Sequence, residues 1–468
     1  MDVGINLAPV NDWNREWVFT DLFKQSRVWK SIDDGTEINN LEYFNFSDGH
    51  GVQTMLLVNQ EGHYPKGSYN VFYKGNGAVR FKGPGVSVKE QRELNNGKYI
   101  SLDVQGDNGI LMQVFDAPIT DVSVVWPNFQ TYYRHTFHPL YVWDLRRFKY
   151  IRFLNWMNTN EVVQPRVWDT RTKPTSTRQS YTEDGVCLEY MVELCNQTKC
   201  DPWFCMPHIY HDDYIVRFAQ YVKSNLDPSL KIYVEFSNET WNAIFPQNQW
   251  FVKEAGYRSQ KWPEVVADEA KKVWDSWDAV FYDQKTRIIK VIGGNAASTW
   301  PINLMLSRWG DYKPDLVCVA TYFGPTPIQL REIKDDITPE DLLNLSRQNI
   351  PLRKQFVQNH ITLCADHNIA VGVYEGGQGI VGKGAWLKAA YDSQILPEMY
   401  QATFDMMKES EDLGCPVYGV FQYAGNRKDQ HGSWGHFEFQ YQSLLSHDDL
   451  KFEAPKMSAV RDFIKGVK

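Results

Sequence analysis

The sequence predicts an α/β protein: a (β/α)8 TIM barrel with a small antiparallel β-sandwich domain inserted near its start. From about residue 138 onward, apolar runs of strand length alternate with amphipathic segments of helix length, which is the pattern of βα units around a parallel sheet. Residues from about 38 to 130 instead alternate apolar and polar side chains over short stretches, which is typical of antiparallel strands. A barrel needs roughly 250 residues, so a chain of 468 residues has room for both.

Eight strands are predicted for the barrel, one at the N-terminus and seven in the βα region. They are Val3–Leu7, Tyr150–Trp156, Trp203–His208, Lys231–Phe236, Arg287–Ile292, Leu316–Tyr322, Ala370–Tyr374 and Val417–Tyr423. Helical patterns lie between or after them, among them His138–Phe148, Tyr214–Leu226, Ala267–Tyr282, Leu352–Asp366, Leu396–Asp412 and Ser458–Val467. Eight strands indicate a closed ring, and no glycine-rich GxGxxG turn favours an open nucleotide-binding sheet.

The predicted domains are the barrel at 1–37 and 131–468 and the inserted β-sandwich at 38–130. Within the insert, Gly67–Phe81 alternates around a Gly-Asn-Gly turn, which predicts a hairpin. Further strands are predicted at Lys98–Val104, Gly109–Phe115 and Asp121–Val125. Two roles stay open for this insert: an accessory carbohydrate-binding module, or a support that buttresses the barrel and narrows its groove.

The composition argues against two kinds of partner. The formal net charge of −8 comes without a clustered basic stretch, and binding nucleic acid needs such a surface. No run of 18 apolar residues occurs, so we predict no membrane span. Met1 leads directly into an apparent strand without a signal peptide, which leaves secretion open with an extracellular location slightly favoured. The 17 Trp, 25 Tyr and 25 Phe suit a carbohydrate groove, and they equally suit a large core.

The cysteines and histidines give no indication of a cofactor. The cysteine count of seven is odd, and the spacing of Cys195 and Cys200 permits a disulfide without demanding a framework. Neither paired CxxC motifs nor an HExxH motif occurs, so we expect no metal site. We expect no organic cofactor either.

Two glutamates stand where predicted apolar strands end. Glu239 follows strand four in the run Val-Glu-Phe-Ser-Asn-Glu-Thr-Trp-Asn that begins at Val234, and Glu375 ends strand seven just before two glycines. The carboxyl ends of barrel strands form the catalytic face, and strands three apart on an eight-stranded ring face each other across it. Two carboxyls so placed can lie about 5 Å apart, the spacing of retaining glycosidases. A lone glutamate at a strand end is more often a loop salt bridge; the pair favours catalysis.

These residues resemble the clan A glycoside hydrolases, the (β/α)8 group that includes many cellulases and mannanases. The resemblance rests on Asn238-Glu239 followed by Trp241-Asn242, with Glu375 on strand seven. It implies that Glu239 is the catalytic acid/base, that Glu375 is the nucleophile and that Asn238 binds the sugar 2-hydroxyl. It also makes Trp241 a candidate substrate contact.

Three further positions match the clan and point toward its family five. Arg152 on strand two resembles the arginine that keeps the nucleophile ionised, and Tyr322 resembles the tyrosine that hydrogen-bonds it. His208 ends strand three, where family five members often place a histidine. Taken singly, a buried arginine is commonly a structural ion-pair partner, and a histidine after a proline is commonly a satisfied core group.

Two positions depart from the family five pattern. Ala320 stands where that family usually has a histidine, two residues before the strand-six tyrosine. The strand-eight tryptophan beneath the sugar ring is also missing, and Tyr423 or Trp434 is the candidate to replace it. The resemblance therefore covers the barrel at the level of the clan and does not fix the sugar.

Four tryptophans are candidates to line sugar subsites: Trp13, Trp17, Trp29 and Trp156, of which we expect about half to be core residues. Nearby, Asp12 and Glu16 are candidates for binding sugar hydroxyls, although a loop salt bridge is the commoner role.

The sequence thus predicts a retaining glycosidase that hydrolyses a β-linked polysaccharide or oligosaccharide by double displacement. The alternative is a non-catalytic glycan-binding or attachment protein on a TIM-barrel scaffold, and loss of either glutamate would favour it. A metal-dependent hydrolase on the same barrel would need His and Asp ligand clusters, which the sequence lacks.

Overall fold

The computed structural model describes residues 1–38, 51–129, 135–211, 213–382 and 384–467, and it contains the predicted closed barrel. The eight parallel strands follow one another around the ring in chain order, and strand one hydrogen-bonds to both strand two and strand eight. Strands one to eight are Asp2–Asn6, Tyr150–Arg152, Asp201–Met206, Ile232–Phe236, Ile288–Gly294, Leu316–Phe323, Ala370–Gln378 and Val417–Val420.

Helices cover the outside of the barrel and extend the loops between its strands. The α-helices are Pro139–Leu145, Leu188–Thr198, Tyr214–Asn225, Pro246–Arg258, Trp262–Val280, Trp300–Trp309, Gln329–Glu332, Pro339–Arg347, Ile350–Ala365, Leu387–Asp392, Glu398–Asp412, His447–Glu453 and Pro455–Lys465. Short 3-10 helices are Leu22–Gln25, Thr159–Glu161, Lys285–Arg287, Gly384–Trp386, Ser393–Ile395 and Gln440–Leu444. Seven of the α-helices in the described ranges begin with a proline in the first turn, where its missing N–H costs nothing.

Two hydrophobic layers explain why the strands close. The larger cluster packs the outward faces of the strands against the helices. A smaller cluster fills the barrel interior with side chains from alternate positions, including Tyr150, Trp203, Tyr233 and Tyr374. Because side chains alternate along a strand, the strand-four positions that share the interior with Tyr233 include Glu235. A fully buried carboxylate thus lies among aromatic rings just below the barrel mouth.

The inserted segment forms two antiparallel sheets with a shared core. The four-stranded sheet has the order Ile119–Val125, Gly67–Gly75, Gly97–Val104 and Val86–Leu94. The five-stranded sheet has the order Glu37–Ile38, Trp29–Ser31, Val52–Leu56, Ile110–Phe115 and Ala78–Lys82. The five-stranded sheet therefore begins at Trp29, before the predicted boundary at residue 38, because a three-residue strand is too short to show alternation. The predicted boundary residues 130 and 131 lie outside the described ranges.

The predicted hairpin across Gly75-Asn76-Gly77 is wrong. Gly67–Gly75 pairs with strands of one sheet, and Ala78–Lys82 pairs with Ile110–Phe115 of the other, so this turn carries the chain between sheets. A Cβ on Gly75 or Gly77 would lie 2.4 or 2.3 Å from a carbonyl oxygen of the 117–118 backbone. The glycines are needed for that close approach. The hairpin of this region instead joins Val86–Leu94, a strand that was not predicted, to Gly97–Val104, which was predicted as Lys98–Val104.

The cysteines are all free thiols buried in the fold, so Cys195 and Cys200 do not form a disulfide. The Cys200 thiol instead donates to the carbonyl oxygens of Leu145 and Phe148, at 3.4 and 3.0 Å. Among the described residues, no helix is both long enough and apolar enough to cross a membrane.

Candidate active site

The site is organised around Arg152, the last residue of strand two, whose guanidinium is fully buried at the barrel mouth. Its Nε and Nη2 donate to the two carboxylate oxygens of Glu235 at 2.8 and 3.0 Å. Its Nη1 donates to Glu375 Oε1 at 2.6 Å and to the side-chain oxygen of Asn6 at 3.1 Å. Its Nη2 also donates to the Asn238 amide oxygen at 2.8 Å. One arginine therefore joins residues of strands one, two, four and seven.

Glu375 lies inside strand seven and has charged or strongly polar partners on both oxygens. Besides the Arg152 contact, its Oε2 accepts a hydrogen bond from the Tyr322 hydroxyl at 2.8 Å. Burial raises the pKa of Glu375, while the Arg152 cation and the Tyr322 hydroxyl act to lower it. Charge-assisted hydrogen bonds of this kind favour the ionised carboxylate. Glu375 is thus the carboxyl of the pair that the site equips to carry negative charge.

Glu239 has only neutral partners. Asn242 Nδ2 donates to Glu239 Oε2 at 2.8 Å, and the Tyr374 hydroxyl lies 3.4 Å from Oε1. Burial, and then repulsion by the Glu375 charge, raise the pKa of Glu239 to about 7. Tyr374 immediately precedes Glu375 in strand seven, so the contact brings the two glutamates to the same point of the mouth. The pKa of Glu239 thus lies near neutral pH, where a carboxyl can both give and take a proton.

The backbone just after strand four is in a sparsely populated conformation. Ser237 and Glu239 have φ angles of 58° and 39°, in the left-handed region that non-glycine residues rarely adopt. Such residues cost about 1–3 kcal/mol each and persist where the surroundings fix them. The Ser237 N–H donates to the Met206 carbonyl, and the Asn242 N–H donates to the Glu239 carbonyl. This turn directs the Glu239 side chain into the mouth.

Asn238 is held between Arg152 and Asn160 by hydrogen bonds on both ends of its amide. Its oxygen accepts from Arg152, and its Nδ2 donates to Asn160 Oδ1 at 2.9 Å. Gln247 also donates to Asn160 Oδ1 and to the Asn238 carbonyl. An amide nitrogen carries two hydrogens, so Asn238 retains one donor for a ligand.

Trp434 belongs to an aromatic cluster beside Glu375, whereas Tyr423 does not. The Trp434 ring centroid lies 5.2 Å from that of Tyr322 and 5.9 Å from that of Phe421, and all three rings are partly exposed. Tyr423 is fully buried beyond the end of strand eight, and its hydroxyl donates to Asp144. The suggestion that Tyr423 supports a sugar ring is therefore wrong, because strand eight ends at Val420 and the chain turns Tyr423 toward the helices.

His208 and Trp241 lie near the mouth without joining the network. The His208 ring is 3% exposed and packs on Trp250 and Phe251, and burial lowers its pKa to about 4. Trp241 is half-buried, and its indole N–H has no partner among the described residues. Their roles in substrate binding stay predictions.

Sequence reasoning gave no role to three side chains that hold the network together: Asn6, Asn160 and Glu235. A signal for Glu235 existed, because it is an acidic residue at an inward position of an otherwise apolar strand, where a buried charge requires a partner. Besides Arg152, it accepts hydrogen bonds from Trp203 Nε1 at 2.7 Å and from the Cys205 thiol at 3.3 Å. Asn6 and Asn160 carried no such signal.

In the ranges that the structure describes, no group of three or more His, Cys, Asp or Glu side chains is placed to hold a metal ion. The site is instead a pair of carboxyls with one guanidinium and one tyrosine hydroxyl. Such a pair can transfer a proton and supply an anionic nucleophile.

No protein-family model matches this chain, and no curated protein matches it significantly. Its fold is similar to that of several solved glycoside hydrolases. An α-L-arabinofuranosidase from Thermotoga maritima is 10% identical, with a TM-score of 0.40 over 63% of this chain and 58% of that one. A family 1 β-glucosidase from Thermotoga maritima is 10% identical, with a TM-score of 0.36 over 70% and 85%. A family 26 endo-β-1,4-mannanase from Cellulomonas fimi is 9% identical, with a TM-score of 0.32 over 57% and 56%.

The chain spans less than two thirds of the length of the first arabinofuranosidases that it matches. At these identities and TM-scores, the similarities assign no substrate to this chain. The geometry of the site is what bears on its chemistry.

Proposed function

We propose that this protein is a retaining glycoside hydrolase, with Glu375 as nucleophile and Glu239 as acid/base. The observation that carries the proposal is that Glu375 and Glu239 have hydrogen-bond partners of different charge. Glu375 contacts a cation and a hydroxyl donor, whereas Glu239 contacts neutral groups. Burial raises the pKa of both carboxyls, that of Glu239 to about 7, and only Glu375 has a cation in hydrogen-bond contact that opposes this among the described residues. Double displacement needs one carboxyl ionised and its neighbour protonated.

In the first step a Glu375 oxygen attacks the anomeric carbon, and the bond from that carbon to the glycosidic oxygen breaks. Glu239 gives its proton to the departing oxygen. The Tyr322 hydroxyl and Arg152 hold Glu375 in place, and the remaining Asn238 donor is positioned for the sugar 2-hydroxyl. A covalent glycosyl ester on Glu375 and an ionised Glu239 result.

In the second step Glu239 takes a proton from a water molecule. The water oxygen attacks the anomeric carbon, the ester bond to Glu375 breaks, and Glu239 is again protonated. Two inversions give net retention. This proposal includes a carbohydrate as the binding partner. It also includes a β-linked substrate and a closest relation to family five, both of which come from the sequence resemblance.

The two roles can be separated with leaving groups of different acidity. Substrates are the 2,4-dinitrophenyl β-glycosides of cellobiose, mannobiose and xylobiose, together with the matching unactivated oligosaccharides. Glu375→Gln should abolish turnover of both kinds, because no ester forms. Glu239→Ala should lower turnover of the unactivated substrates by about 10²–10⁴-fold. The dinitrophenolate needs no proton to leave, so its release by Glu239→Ala should show a fast burst followed by slow ester hydrolysis.

Glu398→Gln is the matched control, since its carboxyl is exposed on helix Glu398–Asp412 and should leave all rates unchanged. Turnover that survives Glu375→Gln, or a Glu239→Ala variant without a burst, would contradict the assignment. Glycan binding by a wild-type protein that cleaves none of these substrates would favour the glycan-binding alternative.

A further inference from the structure

A cavity of about 840 Å³ opens at the barrel face beside strands one and two. Its walls come from the loop after strand one, from the long connection between strand two and helix Leu188–Thr198, and from the five-stranded sheet. Ligand pockets are typically about 300–1,000 Å³ in volume. Neither Glu239 nor Glu375 lines this cavity, so it is a separate space next to the site described above.

Two exposed aromatic rings form one wall of the cavity. Trp13 is 46% exposed and Tyr181 is 39% exposed, and their centroids lie 5.5 Å apart at an interplanar angle of 74°. The other tryptophans proposed for subsites, Trp17, Trp29 and Trp156, are buried in the core. An exposed aromatic pair in a concave wall is a feature of binding sites, because ligand pockets are lined mainly by apolar and aromatic side chains.

The aromatic wall is fixed by a buried carboxylate. Asp12 accepts a hydrogen bond from the Tyr181 hydroxyl and pairs with Arg27 at 2.8 Å. The Arg27 guanidinium in turn lies 5.8 Å from the Trp13 ring centroid. Asp12 therefore joins the strand-one loop, the strand-two connection and the sheet segment at one point. Rings held in this way lose little conformational entropy when a ligand binds.

The cavity adjoins the catalytic network through one short turn. Within the 3-10 turn Thr159–Glu161, Asn160 accepts the hydrogen bond from Asn238, while Glu161 lines the cavity. Asn155 also lines the cavity, only three residues after Arg152 in the chain. A chain molecule bound at the two glutamates therefore reaches the cavity by crossing this turn.

The charges of the cavity wall favour an uncharged ligand. Among the described residues that line it, each of the three cations has a carboxylate partner: Arg27 with Asp12 at 2.8 Å, Lys30 with Glu37 at 3.2 Å and Arg166 with Asp184 at 2.8 Å. Two further carboxylates, Glu161 and Glu183, also line it. An anionic ligand would meet these carboxylates and would find each cation already neutralised.

We propose that this cavity is a distal subsite, in which a neutral sugar residue of the substrate, beyond those at the scissile bond, stacks on Trp13. The proposal rests on the proposed function, because the chain that it binds is the one that the two glutamates cleave. The five-stranded sheet, which supplies part of the cavity wall, would then contribute to substrate specificity. The preferred substrate would be an uncharged oligosaccharide long enough to reach Trp13.

The test measures binding without turnover, by isothermal titration of Glu375→Gln protein. The probes are cellohexaose, mannohexaose, xylohexaose and laminarihexaose, the corresponding disaccharides, and hexagalacturonate as the anionic comparison. Each is titrated against Glu375→Gln alone, with Trp13→Ala added, and with Trp143→Ala added. Trp143 is the matched control, because it is 49% exposed on helix Pro139–Leu145 and does not line the cavity.

We expect at least one neutral hexasaccharide to bind, and Trp13→Ala to weaken its binding at least about tenfold, as for a central aromatic contact. Trp143→Ala should change that affinity by less than about twofold, and disaccharide binding should not respond to Trp13→Ala. Equal effects of the two tryptophan variants, no binding by any neutral hexasaccharide, or tighter binding of hexagalacturonate would overturn the proposal.

The kinetics of the wild-type protein separate this proposal from the proposed function. Cleavage of a dinitrophenyl glycoside together with Trp13-independent hexasaccharide binding would overturn the subsite and leave the glutamate roles intact. Trp13-dependent hexasaccharide binding by a protein that cleaves nothing would overturn the hydrolase and support the cavity as a glycan site.

Discussion

Two buried ionic clusters in this barrel have similar components in opposite proportions. At the mouth, one guanidinium, that of Arg152, serves two carboxylates, those of Glu235 and Glu375. Behind strand eight, one carboxylate, that of Asp144, is held by two guanidiniums, those of Arg147 and Arg461, each at 2.6 Å.

The ratio of guanidinium groups to carboxylates gives the two clusters net charges of opposite sign. Two guanidiniums more than balance the negative charge of Asp144. Asp144 also accepts a hydrogen bond from the Tyr423 hydroxyl at 2.9 Å, so its charge is fully compensated. The mouth carries an excess of carboxylate, and Glu239 stands next to it without a cation of its own. In the proposed mechanism, the excess of carboxylate favours a proton on Glu239 beside an ionised Glu375. Burial is the largest cause of the raised pKa of both glutamates. Because Asp144 is buried as well, the ratio of charges is what differs between the two clusters.

The largest expected effect comes from removing one guanidinium from each cluster. Arg152→Met should abolish activity and lower the free energy of unfolding by about 3–5 kcal/mol, because it leaves buried carboxylates uncompensated. Arg461→Met should lower stability and leave the kcat/KM of the folded protein unchanged. Urea unfolding and turnover of an activated glycoside measure the two quantities. Equal activity losses in the two variants would remove the distinction between the clusters.

The second prediction concerns the proton on Glu239. Its pKa is raised to about 7 from 4.5, so its contribution to stability is complete below pH 4.5 and is lost as the pH rises through 7. One pKa unit corresponds to about 1.4 kcal/mol. Glu239→Gln should therefore be more stable than wild type at pH 8, by up to about 3 kcal/mol, and nearly equal to it at pH 4.5. Thermal unfolding across this range checks the sign, and wild-type kcat/KM should fall above pH 7.

A third pair of variants compares two tyrosine hydroxyls that each donate to a carboxylate. Tyr322→Phe removes the donor to Glu375 and should lower kcat/KM about 10–100-fold, the equivalent of a hydrogen bond to a charged group. Tyr423→Phe removes the donor to Asp144 and should cost stability alone. If Tyr423→Phe lowered kcat/KM as much, the Asp144 cluster would affect the proposed site as well, and the contrast between the two clusters would fail.

The smallest effect is expected from Glu235→Gln, which changes the ratio at the mouth to one carboxylate per guanidinium. The Glu235 charge raises the pKa of Glu375, so removing it should lower that pKa and move the acidic limb of the kcat/KM profile to lower pH. If Glu235→Gln lowered stability but left the acidic limb of the kcat/KM profile at the same pH, the role of Glu235 would be structural alone. Cys205→Ser is the control, since it keeps a hydrogen-bond donor beside the same carboxylate.

The barrel could be predicted because its signals are local. Strand-length apolar runs and helix-length amphipathic runs report burial directly, and the two glutamates followed from strand ends. The sheet pairing in the insert could not be predicted in the same way. The turn at Gly75-Asn76-Gly77 has hairpin composition, but its glycines serve a close backbone approach that only the folded chain reveals.

The site was predicted to the extent that its residues end strands. Arg152, Tyr322 and Asn238 all lie in the network to which the resemblance assigned them. Asn6 and Asn160 were missed because a neutral amide gives no pattern, and Tyr423 was misplaced because strand eight ends three residues early. The cavity beside Trp13 could not be predicted, because it forms where three segments distant in sequence meet at Asp12.

The position of strand one has a consequence for the order in which the molecule is assembled. It is the first of the eight strands to be synthesised, yet it pairs with strand eight, in which Val420 opposes Ile5. Asn6 on strand one hydrogen-bonds Arg152 and the carbonyls of Tyr374 and Val420. On the ribosome, the ring cannot close until strand eight, Val417–Val420, has emerged. The hydrogen bonds that hold Asn6 beside Glu375 therefore cannot all form before the other seven strands have been synthesised.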